Sequence, residues 1–297
     1  MNVRLLETAD EMAPIEQLQA QVWPGAQSEI VPLHIFIGAV HNGGIVLGAY
    51  DEDEMVGFAF GMPGFESVDG EQQLKHYSHM LGVVPAYRDR GVGYLLKRAQ
   101  WQLVRRQKIP LITWTYDPLQ SKNAFFNITK LGAICSTYHE RLYGELRDEL
   151  NLGMPTDRFQ VEMWVNSARV TKRLGKQPRQ RLNLSQFLEA GVEVINPAQE
   201  GSNGHPSPGV EQMRIVESEG KGGLQPLVLV EIPSDIQAVK SHSSELGLEW
   251  RAHTRTLFRR LFSAGYLVTD FIFTDEKPST SFYVLSHGEA SLGRPGR

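Results

Sequence analysis

The chain has 297 residues, 41% of them hydrophobic and 22% charged, proportions that allow a buried core in one large domain or two ordinary ones. A net charge of −4, from 30 basic and 34 acidic residues, excludes blanket attraction to nucleic acid or to anionic membranes. The single cysteine, Cys135, excludes an intrachain disulfide and a multi-cysteine metal site. It follows Gly-Ala-Ile in an apolar run and reads as a small buried residue rather than a nucleophile.

The opening residues carry early acidic side chains and no apolar signal-peptide core, and no run of about 18 uncharged apolar residues occurs. A cytoplasmic setting is expected. Residues 3–6 read as a strand, and Thr8, Asp10 and Glu11 start a helix continuing through Met12, Ile15, Leu18 and Val22. A second helix is expected from Pro32 to Asn42-Gly43-Gly44. Residues 45–50 and 55–61 form a hairpin with a charged tip at 51–54, followed by a polar loop to Gln73. A strand over 76–84 ends at Pro85. A long helix over 91–107 places Leu95, Leu96, Ala99, Leu103 and Val104 on its apolar face and leaves Lys97, Arg98, Arg105 and Arg106 elsewhere. A strand over 111–116, a helix over 121–131 and strands over 133–143 and 159–165 follow.

The texture changes after residue 166. Lys172, Arg173, Lys176, Arg179 and Arg181 form a basic cluster lacking interleaved aromatics, which reads as a solvated loop rather than a nucleic-acid surface. Residues 196–223 are rich in Pro, Gly and Ser. A strand over 226–232, a largely helical stretch over 234–262 and a closing hairpin over 266–285 complete the chain. The expected organisation is a first region over 1–165, a connecting region over 166–225, a C-terminal α/β region over 226–287 and a flexible tail over 288–297. The fold class is mixed α/β (α+β).

The chemically informative unit is strand, turn, helix at Arg88-Asp89-Arg90-Gly91-Val92-Gly93. The first amides of a helix lack intrahelical partners, and they combine with the positive end of the helix dipole into an anion site. Gly91 and Gly93 let a phosphate approach the main chain, while Arg88 and Arg90 add positive charge. Position 96 is Leu, so the third glycine of a dinucleotide turn is missing, and no Gly-Lys-Ser/Thr of a P-loop precedes the helix.

The run from Leu81-Gly82-Val83-Val84-Pro85 through Gly91-Val92-Gly93-Tyr94-Leu95-Leu96 resembles the [RQ]-x-x-G-x-[GA] motif of the GNAT superfamily. Asn123-Ala124-Phe125 and Lys130-Leu131-Gly132-Ala133 resemble the elements that follow it, and the order of elements over 1–165 is similar. This resemblance implies a central sheet splayed between its fourth and fifth strands, with an acyl-CoA as co-substrate and no metal. Pantetheine would bond main-chain groups near Leu81 and Val83, a strand N–H near Leu81 or Gly82 would polarise the acyl carbonyl, and the pyrophosphate would sit on residues 88–93, with Asn123 and Phe126 also on the coenzyme side. It implies transfer of an acetyl or other short acyl group to a primary amine by direct attack. The acceptor would be a small molecule, an amino acid among the candidates, and the protein could act as a homodimer without nucleic acid or membrane.

Many relatives place an acidic tyrosine where this chain has Ile128. Asn127, Tyr138 and Tyr143 stay open as substitutes, with Tyr138 the candidate acid. His79 is the candidate base, with His76 and Glu66 nearby in sequence. Arg251 and Arg255, at i and i+4 on one helix, share a face and could clamp a carboxylate, or form a salt-bridged surface. A sensor that binds acyl-CoA without chemistry is the alternative function, and a nucleotide-dependent enzyme a third.

Overall fold

The computed structural model describes residues 1–25, 29–68, 70–146, 151–175, 181–201, 204–210, 224–274 and 280–287. The chain divides into two units. One comprises Met1–Trp114, Arg147–Leu152 and Glu162–Asn166, the other Thr115–Leu146, Gly153–Val161 and Ser167–Arg297.

The first unit opens with β1 (Asn2–Leu5). Thr8 then caps α1 (Ala9–Met12) through a reciprocal box with Glu11. The one helix expected up to Val22 is two, because Pro14 brings no N–H and begins α2 (Pro14–Val22) afresh. After α3 (Leu33–His41) come β2 (Ile45–Asp51), β3 (Glu54–Val68) and β4 (Glu71–Val83). Helix α4 (Val92–Arg106) and β5 (Leu111–Tyr116), the latter up to Trp114, complete this unit's main elements. Strands β1 to β4 pair antiparallel in sequence order, and β5 joins β4 in parallel.

The polar loop expected to Gln73 is instead the far end of a long hairpin. Phe65 pairs with Leu74, Glu66 with Gln73 and Val68 with Glu71, and Lys75 forms an ion pair with Glu66 at 2.5 Å. Phe65 and Leu74 are 66% and 41% exposed, so this arm lacks the in–out alternation that marks a half-buried strand. Gly70 carried the missed signal, since a glycine between two β-prone runs marks a hairpin turn, and it has φ +85°.

The face of α4 also differs from expectation. Val92, Leu96, Lys97, Gln100, Trp101 and Val104 are its buried residues, an i, i+4, i+5, i+8, i+9, i+12 pattern that draws Lys97 inward.

In the second unit, α5 (Ser121–Ala124) runs into a π-helical turn, Phe125–Lys130. Then follow β6 (Ile134–His139), the first half of β7 (Arg158–Trp164), α6 (Ala168–Leu174) and α7 (Leu184–Glu189). Two-residue strands β8 (Glu193–Val194), β9 (Gln199–Glu200) and β10 (Pro206–Ser207) lead to β11 (Leu227–Pro233). Helices α8 (Ile236–His242) and α9 (Ser244–Ser263) and strands β12 (Leu267–Ile272) and β13 (Thr280–Ser286) finish the described chain. The sheet runs β6-β12-β13-β11-β8, so the C-terminal strands extend the sheet from β6. Phe159 centres the core here, with ring centroids of Phe258, Phe262, Tyr283, Tyr138 and Tyr116 4.7–5.9 Å away. Cys135 is buried, as expected.

The expected solvated basic loop is partly helix α6, and its arginines are engaged. Arg169 Nε donates to Gly132 O at 2.8 Å, and Arg173 donates to Ile128 O at 2.6 Å and meets Asp270 at 3.2 Å. Carbonyls at a helix end lack intrahelical donors, and guanidinium groups satisfy them. Arg181 lies over the Phe125 ring, and Lys172 is exposed. Lys176, Arg179, the 211–223 part of the Pro/Gly/Ser-rich stretch and the tail over 288–297 lie outside the described residues.

Gly61 shows how tightly β3 and β4 meet, because a Cβ there would stand 2.2 Å from His76 Nε2 and 2.7 Å from Tyr77 O. Gly61→Ala should therefore destabilise the protein by about 2 kcal/mol or more, read as a lower urea midpoint; an unchanged midpoint would contradict this packing.

Candidate functional site

Strand β4 and the turn into α4 supply the first set of candidate residues. Leu81, Gly82 and Val83 lie at the end of β4, and Arg88, Asp89, Arg90 and Gly91 form the turn ahead of Val92 and Gly93. Asp89 has φ +60° and Gly91, the N-cap, has φ +82°. Two left-handed residues so close together turn successive amides toward one side, the geometry of an anion nest. No side chain caps α4. Among the described residues, the amides of residues 90–93 make no hydrogen bond, whereas Arg88 N donates to Pro85 O and Leu95 N to Gly91 O. Residues 88–91 are exposed, and a Cβ on Gly91 would meet no atom within 4 Å. The turn at residues 88–91 is therefore open to a phosphate, whereas Val92 is buried.

The two arginines of the turn do different work. Arg88 donates from Nε to Val83 O at 3.2 Å and from Nη2 to Val22 O at 3.1 Å, so it ties the turn to β4 and to the end of α2. Arg90 lies over the Tyr87 ring at 5.0 Å, and Tyr87 in turn donates to Asp51 Oδ2 at 3.0 Å.

Strands β4 and β5 pair at two positions, His76↔Ile112 and Tyr77↔Thr113. Beyond them β4 continues to Val83 along β3 alone, leaving main-chain groups on its other edge without a ladder neighbour among the described residues. This is the opening expected between the fourth and fifth strands. Gly82 sits where a Cβ would strike Phe58 at 2.7 Å and Trp23 at 3.3 Å.

The ladder between β3 and β4 slips between Phe60↔Met80 and Gly61↔Ser78, so His79 is the extra residue of a β-bulge. Its side chain is exposed, with the Phe60 and Tyr77 rings 5.8 and 5.5 Å away. Desolvation by these surroundings pushes its pKa below the usual imidazole value, which favours the neutral, proton-accepting form. His76 is different: it is fully buried, and burial followed by the charge of Lys97 lowers its pKa to about 3. Its Nε2 lies 3.2 Å from Gln100 Nε2, and Nδ1 has no partner among the described residues.

Lys97 is the unforeseen member of this region. It is 2% exposed, and its Nζ donates to Ser78 Oγ at 2.7 Å and Gln100 Oε1 at 3.2 Å. The Trp114 ring lies 3.7 Å away. Burial lowers its pKa to about 7.

The second unit holds the remaining candidates. Asn123 is in α5 and Phe126 in the π-helical turn; Glu66, by contrast, belongs to β3 of the first unit, bonded to Lys75. Ile128 is buried and offers no hydroxyl. Tyr138 donates to Asp157 Oδ2 at 2.6 Å, and burial, then this hydrogen bond, pushes its pKa above the usual phenol value. Tyr143 meets Thr115 Oγ1 at 2.7 Å.

Arg251 and Arg255 do share a face of α9, and the carboxylates they grip belong to the chain itself. Arg251, 1% exposed, holds Asp117 through both terminal nitrogens, at 2.9 and 2.5 Å. Arg255 holds Asp157 at 2.8 and 3.0 Å. Burial pushes Asp157 up, but hydrogen bonds from Arg255, Tyr138 and the Arg141 amide outweigh it and leave its pKa lowered. Asp117 and Asp157 escaped the sequence analysis because their partners lie 134 and 98 residues away. Among the described residues no cluster of three or more His, Cys, Asp or Glu could hold a metal ion, and no helix is long and apolar enough to cross a membrane.

No protein-family model matches the chain, and no curated protein matches it. Among solved structures, a probable acetyltransferase from Staphylococcus epidermidis ATCC 12228 is 15% identical, with a TM-score of 0.43 over 54% of this chain and 96% of its own. The ribosomal-protein-S18-alanine N-acetyltransferase from Escherichia coli is 12% identical, with a TM-score of 0.43 over 60% of this chain and 99% of its own. An aminoglycoside 6'-acetyltransferase type Ii is 16% identical, with a TM-score of 0.42 over 61% and 100%.

Two stability measurements check these environments. Arg251→Met removes both hydrogen bonds of the pair, leaving Asp117 with Arg158 at 3.9 Å and the Leu119 amide, and should cost about 3 kcal/mol; a loss below about 1 kcal/mol would mean that the pair is readily dispensable. Lys97 has a folded pKa below its unfolded one, so the unfolded state binds more protons between about pH 7 and 10.5, and stability should rise with pH across that window. Lys97→Met should flatten the rise, and its stabilising effect should be largest at and below pH 7. Thermal unfolding from pH 6 to 10 reads both.

Proposed function

We propose that this chain is an acyl-CoA-dependent N-acyltransferase of the GNAT superfamily, moving an acetyl or other short acyl group to a primary amine. The observation that carries this reading is the turn into α4, where residues 88–91 are exposed and the amides of residues 90–93 have no hydrogen-bond partner among the described residues. A diphosphate fits that set, since it needs several donors, close main-chain approach and positive charge. The divergence of β4 from β5 supports a thioester arm bonded along Leu81, Gly82 and Val83. The order of the elements from β1 to β5 supports the same assignment. Asn123 and Phe126 remain coenzyme-side candidates.

In this mechanism the acyl-CoA supplies an activated acyl group, and the chain provides position and proton transfer. Main-chain donors on the open edge of β4 polarise the thioester carbonyl. His79, neutral because its pKa is lowered, accepts a proton from the acceptor's ammonium, directly or through one water. The free amine attacks the carbonyl carbon, the C–N bond forms, the C–S bond breaks with the electron pair leaving on sulfur, and the second proton, shed by the newly acylated nitrogen, ends on the thiolate. A thiolate is a fair leaving group, so an acid assists without being indispensable. Tyr138 can fill that role only by giving up its hydrogen bond to Asp157.

The buried Ile128, which offers no hydroxyl, favours a second reading, an acyl-CoA sensor without turnover. Calorimetry with acetyl-CoA should show binding that Gly91→Asp abolishes and Arg90→Glu weakens at least tenfold. Undiminished binding in both variants would remove the proposed site. Thiol release with a panel of primary amines separates enzyme from sensor: amine-dependent turnover, lowered about a hundredfold or more in His79→Gln, supports the enzyme, and its absence with every amine supports the sensor.

A further inference from the structure

Lys97 has no task in the mechanism above, and its surroundings are unusual for an ammonium group. Its contacts are two neutral oxygens, Ser78 Oγ and Gln100 Oε1, and the face of Trp114. Among the described residues the one other titratable group bonded into this network is His76, which is neutral across the working pH range. Among the described residues no carboxylate compensates it. Burying a cation in this way is costly, and a leucine or methionine would fill the same face of α4 without that cost. Lys97 lies five residues into the helix whose N-terminal turn carries the proposed phosphate site, about 7.5 Å along the axis at 1.5 Å per residue.

We infer that Lys97 is a buried counter-cation for the coenzyme, taking up a proton as the phosphates of an acyl-CoA settle on the α4 turn. This rests on the acyl-CoA reading. The physical ground is Coulombic: at a separation of roughly 10 Å and an effective dielectric of about 20, one net phosphate charge, the remainder being offset by the arginines of the turn, favours the ammonium form by roughly tenfold. The helix is the shared element, with anion at its mouth and cation on its buried face. Burial places the lysine's titration at about 7, where a tenfold effect changes its charge at ordinary pH. By reciprocity, the protonated protein binds the coenzyme about tenfold more tightly than the neutral one. Lys97 is therefore a binding determinant that touches no part of the ligand.

The test is titration of the full chain with acetyl-CoA at pH 7.5 in buffers of different ionisation enthalpy, which counts protons exchanged on binding. Wild type should take up roughly half a proton more than Lys97→Met, an excess that disappears below about pH 6 and above about pH 9. Lys97→Met should bind about tenfold more weakly than wild type at pH 6 and equally at pH 9. A measurement on the unmutated chain, labelled with carbon-13 at lysine Cε, covers the case in which the variant misfolds: the buried lysine's titration should move upward when acetyl-CoA is bound. Equal proton counts and pH slopes in the two proteins, or a lysine titration indifferent to coenzyme, overturn the inference and leave the site standing. No binding of acetyl-CoA by either protein overturns both.

Discussion

The backbone conformation between Tyr87 and Val92 is the constraint on which the proposed chemistry depends. Asp89 and Gly91 both take positive φ, which only short polar residues and glycine adopt at little cost. The reward is a set of amides, those of residues 90–93 at the mouth of a 15-residue helix, that no group among the described residues satisfies. Arg88 holds this arrangement in place by spanning the carbonyls of Val83 and Val22. Its role as a brace is as important as its charge, because a nest of donors recognises an anion only when the donors are already aimed.

Strand β4 carries two irregularities with separate consequences. Its ladder to β5 is short, which exposes one main-chain edge. Its bulge at His79 brings an imidazole out to solvent while its neighbours His76 and Ser78 face inward. Beneath it, Ser78, Gln100 and His76 form a polar chain with Lys97 in the core of the first unit. Such a network fixes a single arrangement of strand and helix at the cost of desolvating a cation.

The second unit takes another route to a specific core. Phe159 is surrounded by five aromatic rings, and beside them Arg251 and Arg255 close on Asp117 and Asp157. Both aspartates precede or follow short turns, and each is bonded by more than one donor. Paired charges of this kind contribute modest net stability, but breaking a pair is expensive.

Local signals determined much of this protein from sequence alone. The capping residue Thr8, the glycine at position 91, the apolar periodicity of α4 and the strand runs on either side required only neighbours within a few residues, and the elements they predict are present. The turn proposed to bind an anion was legible for the same reason, since its main-chain geometry is set by glycine. The tertiary structure decided what depends on partners far along the chain. It turned Lys97 inward against Trp114, continued β3 and β4 past the point where alternation fades, and closed Arg251 on an aspartate 134 residues away. A charged side chain carries the same local signature whether it meets water or a buried counterpart, so only the folded neighbourhood distinguishes the two.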